Sequence, residues 1–194
     1  MLTLREASYA LFGAWRLAHF DVQGAAYFDR SPEGALRSFW AAAILLPAYA
    51  VMVLMYLADN PPALGWTGLI FVYGLDYVLR WVAFPVAMIW LARLLDCETR
   101  YFGWLAMYNW SQVLATLATL PVSAVISGDL LPEPVLFLLG PIVYIALFAY
   151  LWFIARAGLG IGPLSAIGVV LTDLTLSELI GSIANHIAEG GRIF

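Results

Sequence analysis

The chain has few charged residues, a single cysteine and no lysine. Charged residues make up 11% of its 194 residues and hydrophobic residues 63%, whereas soluble domains carry about a quarter charged residues. A chain this short and this apolar cannot cover its core with polar surface, which excludes a water-soluble globular domain and indicates a membrane protein. The net charge of -4 argues against nucleic acid as a partner, and Cys97 has no second cysteine with which to form an internal disulfide.

The motifs of common catalytic and cofactor sites are also missing. The chain contains no His-Glu-x-x-His, no Gly-x-Ser-x-Gly, no P-loop and no glycine-rich dinucleotide fingerprint. The closely spaced glycines of segment 158–163 follow a predicted membrane helix rather than a strand, so they are predicted to form a tight turn. We therefore predict no enzymatic activity, no catalytic residue, no cofactor and no metal site.

Five apolar stretches are long enough to cross a bilayer, for which a helix needs about 20 residues. They cover residues 39–58, 64–95, 102–127, 134–155 and 163–187. With the segment that leads into the first stretch they define a transmembrane domain at 31–189, followed by a short tail at 190–194. We predict an all-α polytopic bundle of five transmembrane helices surrounded by the lipid bilayer.

The arginines determine the predicted orientation. Seven of the nine lie before the first stretch or beside the second and fourth connections, and Arg80 lies inside the second stretch. Because basic residues are enriched in cytoplasmic loops, the N-terminus is predicted to be cytoplasmic. Arg192 and the C-terminus would then lie on the opposite side, and the expected location is the bacterial inner membrane.

Residues 1–30 are too polar to span a membrane and are predicted to form an amphipathic segment. On a helical projection one face carries Leu4, Ala7, Leu11, Trp15 and Ala18, opposite Arg5, Tyr9 and Arg16. This pattern is typical of a helix in the membrane interface, and equally of a helix packed on the cytoplasmic ends of the bundle. Ser31 and Pro32 then predict a helix start, with Ser as N-cap and Pro at the first position.

Two opposite charges lie within the second apolar stretch. Asp76 and Arg80 are four residues apart, which places them on one helix face in the favourable order for an ion pair. Each charge at the bilayer centre costs at least about 2.5–3.5 kcal/mol. A membrane protein therefore keeps such a charge only with a partner or a function, and this pair is the main candidate site.

Further polar residues are predicted to join this pair. Asp173 lies ten residues into the fifth stretch, at a depth similar to that of Asp76. Asn109 and Gln112, in the third stretch, could approach from the cytoplasmic half. Three interpretations of a cluster formed with Arg80 remain open: a buried network that fixes helix register, a pathway for a substrate, ion or proton, and a docking surface for another membrane subunit.

A second polar group lies toward the outer end of the fifth stretch. Glu178, Ser182 and Asn185 recur at i, i+4 and i+7, and His186 follows them. We predict that these four residues form an outer polar stripe that faces neighbouring helices or water. Their spacing matches no metal-ligand pattern, so the stripe is not predicted to bind a metal.

Four short motifs give the chain a resemblance to a known family. They are Ser-Pro-Glu-Gly-Ala-Leu-Arg-Ser-Phe-Trp at 31–40, Leu-Ala-Arg-Leu-Leu-Asp at 91–96, Leu120-Pro121 and Gly-Leu-Gly-Ile-Gly-Pro-Leu-Ser-Ala at 158–166. Their order resembles the Yip family of five-span membrane proteins, in a bacterial-type form. The resemblance implies a cytoplasmic N-terminus and a five-helix bundle. Eukaryotic members of the family are linked to Rab-type GTPases and vesicle traffic.

Small size, short connections and the lack of catalytic motifs favour a non-enzymatic function. The leading hypothesis is a scaffold, organiser or accessory subunit, whose partners are other membrane proteins or a second copy of the chain. The alternative is a small carrier or channel that uses Asp76, Arg80 and Asp173. A membrane enzyme ranks third. A water-accessible cavity at either aspartate would favour transport, whereas dry, mutually satisfied charges would favour scaffolding.

Overall fold

A computed structural model describes residues 3–191, and 85% of the protein is helical, with no strand in that range. The α-helices are α1 (Leu4–Ala18), α2 (Pro32–Ser38), α3 (Trp40–Asp59), α4 (Trp66–Leu94), α5 (Tyr101–Ser127), α6 (Glu133–Leu159) and α7 (Pro163–Ala188). Short 3₁₀ helices at Val22–Tyr27 and Glu98–Arg100 precede α2 and α5. The end of the predicted tail, with Arg192, lies outside the described residues.

Helices α3 to α7 are long and apolar enough to cross a membrane, which confirms the predicted bundle of five candidate spans. Four of them begin and end within two residues of the predicted limits, and α6 continues to Leu159 instead of ending at 155. Arg156 lies within α6, and its guanidinium lies over the Trp152 ring, 4.9 Å from the centroid. The helix ends where Gly160 adopts a left-handed conformation, with φ of 68°.

The five long helices surround a common centre. The basal end of the bundle carries α1, α2 and the α6–α7 turn, and the distal end carries the α3–α4 and α5–α6 connections. Helix α5 packs against α3 and α6, α6 packs against α7, and α7 packs along α4, whereas α3 and α4 touch over a shorter stretch. Because α1 and α2 also pack on α5, its basal half is buried on all sides.

Helix α1 packs on the basal end through small side chains and Leu17. Ala14 and Leu17 are fully buried, and the Tyr150 hydroxyl of α6 donates a hydrogen bond of 3.1 Å to the Ala14 carbonyl. The buried face is rotated from the one predicted from the apolar pattern, since Leu4 and Trp15 of the predicted face are exposed. Its other three residues are partly buried against the core: Ala7, Leu11 and Ala18. Small residues allow the closer helix approach. The contacts therefore favour the alternative of a helix packed on the bundle.

Ion pairs and a cap hold the segment between α1 and α3. The Arg37 guanidinium donates to Glu6 of α1 at 2.7 Å and to Asp29 at 2.6 Å. Ser31 caps α2 as predicted, because its hydroxyl accepts a hydrogen bond of 3.0 Å from the Gly34 N–H. The Ser31 N–H donates to Asp29, and this hydrogen bond is the main reason that the pKa of Asp29 lies below its usual value.

Candidate functional site

Asp76 and Arg80 form an ion pair inside the bundle. The Nε of Arg80 donates to Oδ2 of Asp76 at 2.7 Å, and only 2% of the Asp76 side chain is exposed. The Tyr49 hydroxyl of α3 donates to the same oxygen at 2.5 Å. The second carboxylate oxygen, Oδ1, is buried and has no hydrogen-bond partner among residues 3–191. An acceptor is therefore left open at the centre of the protein.

Helix α7 leaves space for the Arg80 guanidinium. A side chain at position 181 would collide with Nη2 of Arg80, so glycine is required there for this arrangement. The Arg80 side chain is 35% exposed because it borders the central cavity described below. Arg80 thus lies close to α7 while its Nε pairs with Asp76.

Asp173 has a separate partner. The Tyr108 hydroxyl of α5 lies 2.9 and 3.0 Å from the two Asp173 carboxylate oxygens, and both residues are buried. The Tyr108 ring packs with Phe84 and Trp104, at centroid distances of 5.1 and 5.3 Å. These aromatic rings belong to the main hydrophobic core, and they close the bundle on the basal side of Asp173.

A central cavity of about 680 Å³ connects the two aspartates. Its lining comes from all five long helices, at residues 45–56, 73–81, 108–119, 144–151 and 173–185. On α3, α4 and α7 the lining extends toward the distal end, to Tyr56, Tyr73 and Asn185, whereas on α6 it runs from mid-length into the basal half, to Leu151. The cavity therefore occupies the centre of the bundle and extends toward the distal end along three helices. Tyr56 lines its distal part and donates a hydrogen bond of 2.6 Å to Glu189.

The structure brings four of the five predicted cluster residues to this cavity: Asp76, Arg80, Gln112 and Asp173. The prediction for Asn109 was wrong, because Asn109 points toward α2 and its amide donates to the Ser38 hydroxyl at 2.8 Å. Both Asn109 and Ser38 are buried away from the cavity. Residues on the buried basal half of α5 meet protein on every side, so the residue type alone could not indicate which neighbour Asn109 contacts.

The predicted outer stripe divides between two environments. Asn185 lines the cavity and accepts a hydrogen bond of 3.1 Å from the Tyr73 hydroxyl, whereas Glu178, Ser182 and His186 are exposed on the outside of α7. Glu178 makes no hydrogen bond or ion pair with any residue between 3 and 191. The four residues therefore do not form one continuous surface.

Tyrosines are the residues of the site that the sequence analysis did not identify. Six of them line the cavity: Tyr49, Tyr56, Tyr73, Tyr77, Tyr108 and Tyr144. Three of these hydroxyls donate to side chains of the candidate site, on Asp76, Asn185 and Asp173. A signal was present on α4, where Tyr73 and Tyr77 share the helical face of Asp76 and Arg80.

The site has the chemistry of a polar binding cavity. Within the described range no three His, Cys, Asp or Glu side chains converge to hold a metal ion. The arrangement offers two carboxylates, one guanidinium and several hydroxyls inside apolar walls. Pockets of about 300–1,000 Å³ with few polar groups in an apolar lining are typical of small-molecule sites.

The fold and site define the class, a polytopic helical membrane protein with a polar central cavity. Comparisons with protein-family models, curated proteins and solved structures gave no match. The resemblance to the Yip family therefore stays a prediction, and the function has to be argued from the cavity itself.

Proposed function

We propose that this protein is a small membrane carrier that takes a solute into the cavity between Asp76 and Asp173. The observation that carries the proposal is the buried, unpartnered Oδ1 of Asp76 beside a cavity of about 680 Å³. Asn109 Oδ1 and Ser111 Oγ are also buried without a partner among residues 3–191, but of the three residues only Asp76 lines the cavity. An unsatisfied buried group costs about 1–3 kcal/mol, and at Asp76 a ligand in the cavity could remove that cost. Space together with an open acceptor supports a bound solute.

The charge distribution supports an outward-facing cavity. Outside the membrane-spanning interior, the arginines of residues 3–191 lie at the basal end or beside its connections. The positive-inside rule then places the basal end in the cytoplasm. With this orientation the cavity extends toward the outer face of the membrane, and the aromatic core around Trp104 separates it from the cytoplasm.

Cysteine labelling tests whether the cavity is open to water from the distal side. In a Cys97→Ala background, Ser177→Cys places a thiol on the cavity wall. We expect a charged, membrane-impermeant maleimide added outside sealed right-side-out vesicles to modify it at least about tenfold faster than a thiol at Ser111, which is fully buried. The Cys97→Ala change removes the native thiol, which would itself react slowly, because burial raises its pKa and the thiolate is the reactive form.

A matched variant on α7 separates water from lipid exposure. Ser182 is exposed on the outside of α7, where hydrocarbon would exclude a charged reagent, so Ser182→Cys should react slowly. Equal rates for Ser177→Cys and Ser111→Cys would contradict an open cavity. Faster reaction when the reagent is added outside inverted vesicles, which expose the cytoplasmic face, would contradict the proposed orientation.

A second candidate function, the accessory subunit, is favoured by Glu178. This carboxyl lies 15 residues after Pro163 and ten before Ala188, about 22 and 15 Å from the two ends of α7. It is exposed on the outside of the bundle, where an unpaired charge would face hydrocarbon at a cost of about 2.5–3.5 kcal/mol. Charge complementarity favours one partner for the α7 surface around Glu178: a transmembrane helix of another protein with a basic residue at mid-depth.

A designed helix tests this surface. The probe is a synthetic leucine-rich transmembrane peptide with one central Lys, and the readout is energy transfer to the labelled protein in liposomes. We expect binding that Glu178→Gln reduces at least about fivefold, since the charge pair is lost. Glu133→Gln, an equal charge change at the distal end of α6, should have no effect. Binding unchanged by Glu178→Gln, or occupation of this face by a second copy of the chain, would contradict the assignment.

A further inference from the structure

The central cavity has more negative than positive groups. Asp76 and Asp173 contribute two carboxylates and Arg80 one guanidinium. The Nε of Arg80 is already bonded to Oδ2 of Asp76, and its Nη2 lies against Gly181. The lining therefore carries a net charge of one carboxylate, which disfavours an anionic ligand, although Arg80, with 35% of its side chain exposed, is the most accessible of the three charged groups.

Three tyrosine hydroxyls around the cavity use their hydrogens on the protein itself. Tyr49 donates to Asp76, Tyr73 to Asn185, and Tyr108 to Asp173. Their oxygens keep lone pairs, and the Oδ1 atom of Asp76 has no donor at all among the described residues. Beside Asp76 the cavity therefore offers a ligand an acceptor without a donor, which an N–H group of the ligand can satisfy.

Aromatic rings add a second reason for a positive ligand. The rings of Tyr49 and Tyr77 lie against each other at 4.7 Å, and Trp81 continues this wall at 6.3 Å from Tyr77. All three line the cavity beside Asp76. Faces of Trp and Tyr attract an ammonium group within about 6 Å. The remaining lining is largely aliphatic and suits an apolar body.

We infer that the cavity ligand is a monovalent organic cation, with an ammonium group at Oδ1 of Asp76 and an apolar body along the aliphatic wall. This assignment rests on the proposed carrier function and names its substrate class. The ammonium donates to the open carboxylate oxygen while the tyrosine rings face its alkyl carbons. Residues Asp76 and Asp173 then determine charge specificity, and the wall determines the size of the apolar group.

Calorimetry with three probes of one chain length tests the charge assignment. n-Hexylammonium, 1-hexanol and hexanoate are titrated into the full-length protein in lipid nanodiscs, and empty nanodiscs give the partitioning background. We expect saturable one-to-one binding of n-hexylammonium and no saturable binding of hexanoate. Asp76→Asn should weaken n-hexylammonium binding at least about tenfold, because a charge-assisted hydrogen bond becomes a neutral one.

Two further variants separate a loss of the binding site from a loss of folding. Asn185→Asp adds a carboxylate to the wall, keeps the acceptor for Tyr73, and should strengthen n-hexylammonium binding several-fold. Ser182→Ala, on the outside of α7, should leave the affinity unchanged. Binding of hexanoate or hexanol as tight as that of n-hexylammonium, or no saturable binding of n-hexylammonium, would overturn the cation assignment. An open cavity in the cysteine labelling would still support the carrier, whereas a closed one would overturn both.

Discussion

Replacing Arg80 with Ala is expected to destabilise the protein by about 3–5 kcal/mol, the usual effect of removing one partner of a buried ion pair. Asp76 is almost completely buried, and Arg80 is the cation that contacts it. After the substitution, the carboxylate would keep the Tyr49 hydroxyl as its donor without a compensating charge. The measurement is the free energy of unfolding in mixed micelles, titrated with sodium dodecyl sulfate.

Arg93→Ala is the matched control for this change. Arg93 lies on the same helix and faces Glu98 at 3.8 Å, but both side chains are more than half exposed, so its loss should cost at most about 1 kcal/mol. Combining Arg80→Ala with Asp76→Asn should recover part of the lost stability, because no buried charge is left unpaired. A double variant as unstable as the sum of the two single variants would show that the pair is not coupled.

Most of the fold could be predicted from hydropathy. A helix satisfies its own backbone hydrogen bonds, so an apolar run of spanning length has few alternatives in lipid. The end of α6 could not be read this way, because Arg156 has the charge of a loop residue but packs on Trp152. Arg156 is exposed, so the helix continues past it without burying its charge.

The sequence pattern also could not predict which face of α1 is buried. Hydrophobicity favours burial of large residues such as Leu4 and Trp15, yet both are exposed. Ala14 is buried instead, because a small side chain lets α1 approach the bundle closely, and this distance depends on side-chain size and not on hydrophobicity. The exposed apolar residues of α1 remain available to the lipid interface, which keeps the interfacial interpretation of this helix as a prediction.

At the candidate site, the sequence indicated which charges are unusual but not how they are satisfied. Spacing alone predicts the Asp76–Arg80 pair, since both residues lie on one helix. The partner of Asp173 lies 65 residues away on α5, and only the arrangement of the helices around the cavity brings the Tyr108 hydroxyl to it. Asn109, adjacent to Tyr108, contacts α2 instead, so neighbouring polar residues of one helix serve different parts of the fold.

Tyr108→Phe is expected to destabilise the protein by about 1–3 kcal/mol, the cost of leaving a buried polar group without its hydrogen bond. The Tyr108 hydroxyl is the donor that contacts both oxygens of Asp173, and the Phe ring would preserve the aromatic packing with Trp104. The effect therefore reports the hydrogen bond rather than the packing. The unfolding free energy in mixed micelles is again the measurement.

Tyr144→Phe is the control, because Tyr144 also lines the cavity but is 65% exposed and makes no hydrogen bond with the described part of the chain. It should change stability by less than about 0.5 kcal/mol, as surface substitutions usually do. Adding Asp173→Val to Tyr108→Phe removes both polar partners and should restore most of the loss. Equal effects of the two Tyr→Phe variants would mean that water in the cavity already satisfies Asp173, and that the Tyr108 hydroxyl contributes nothing to holding α5 and α7 around the site.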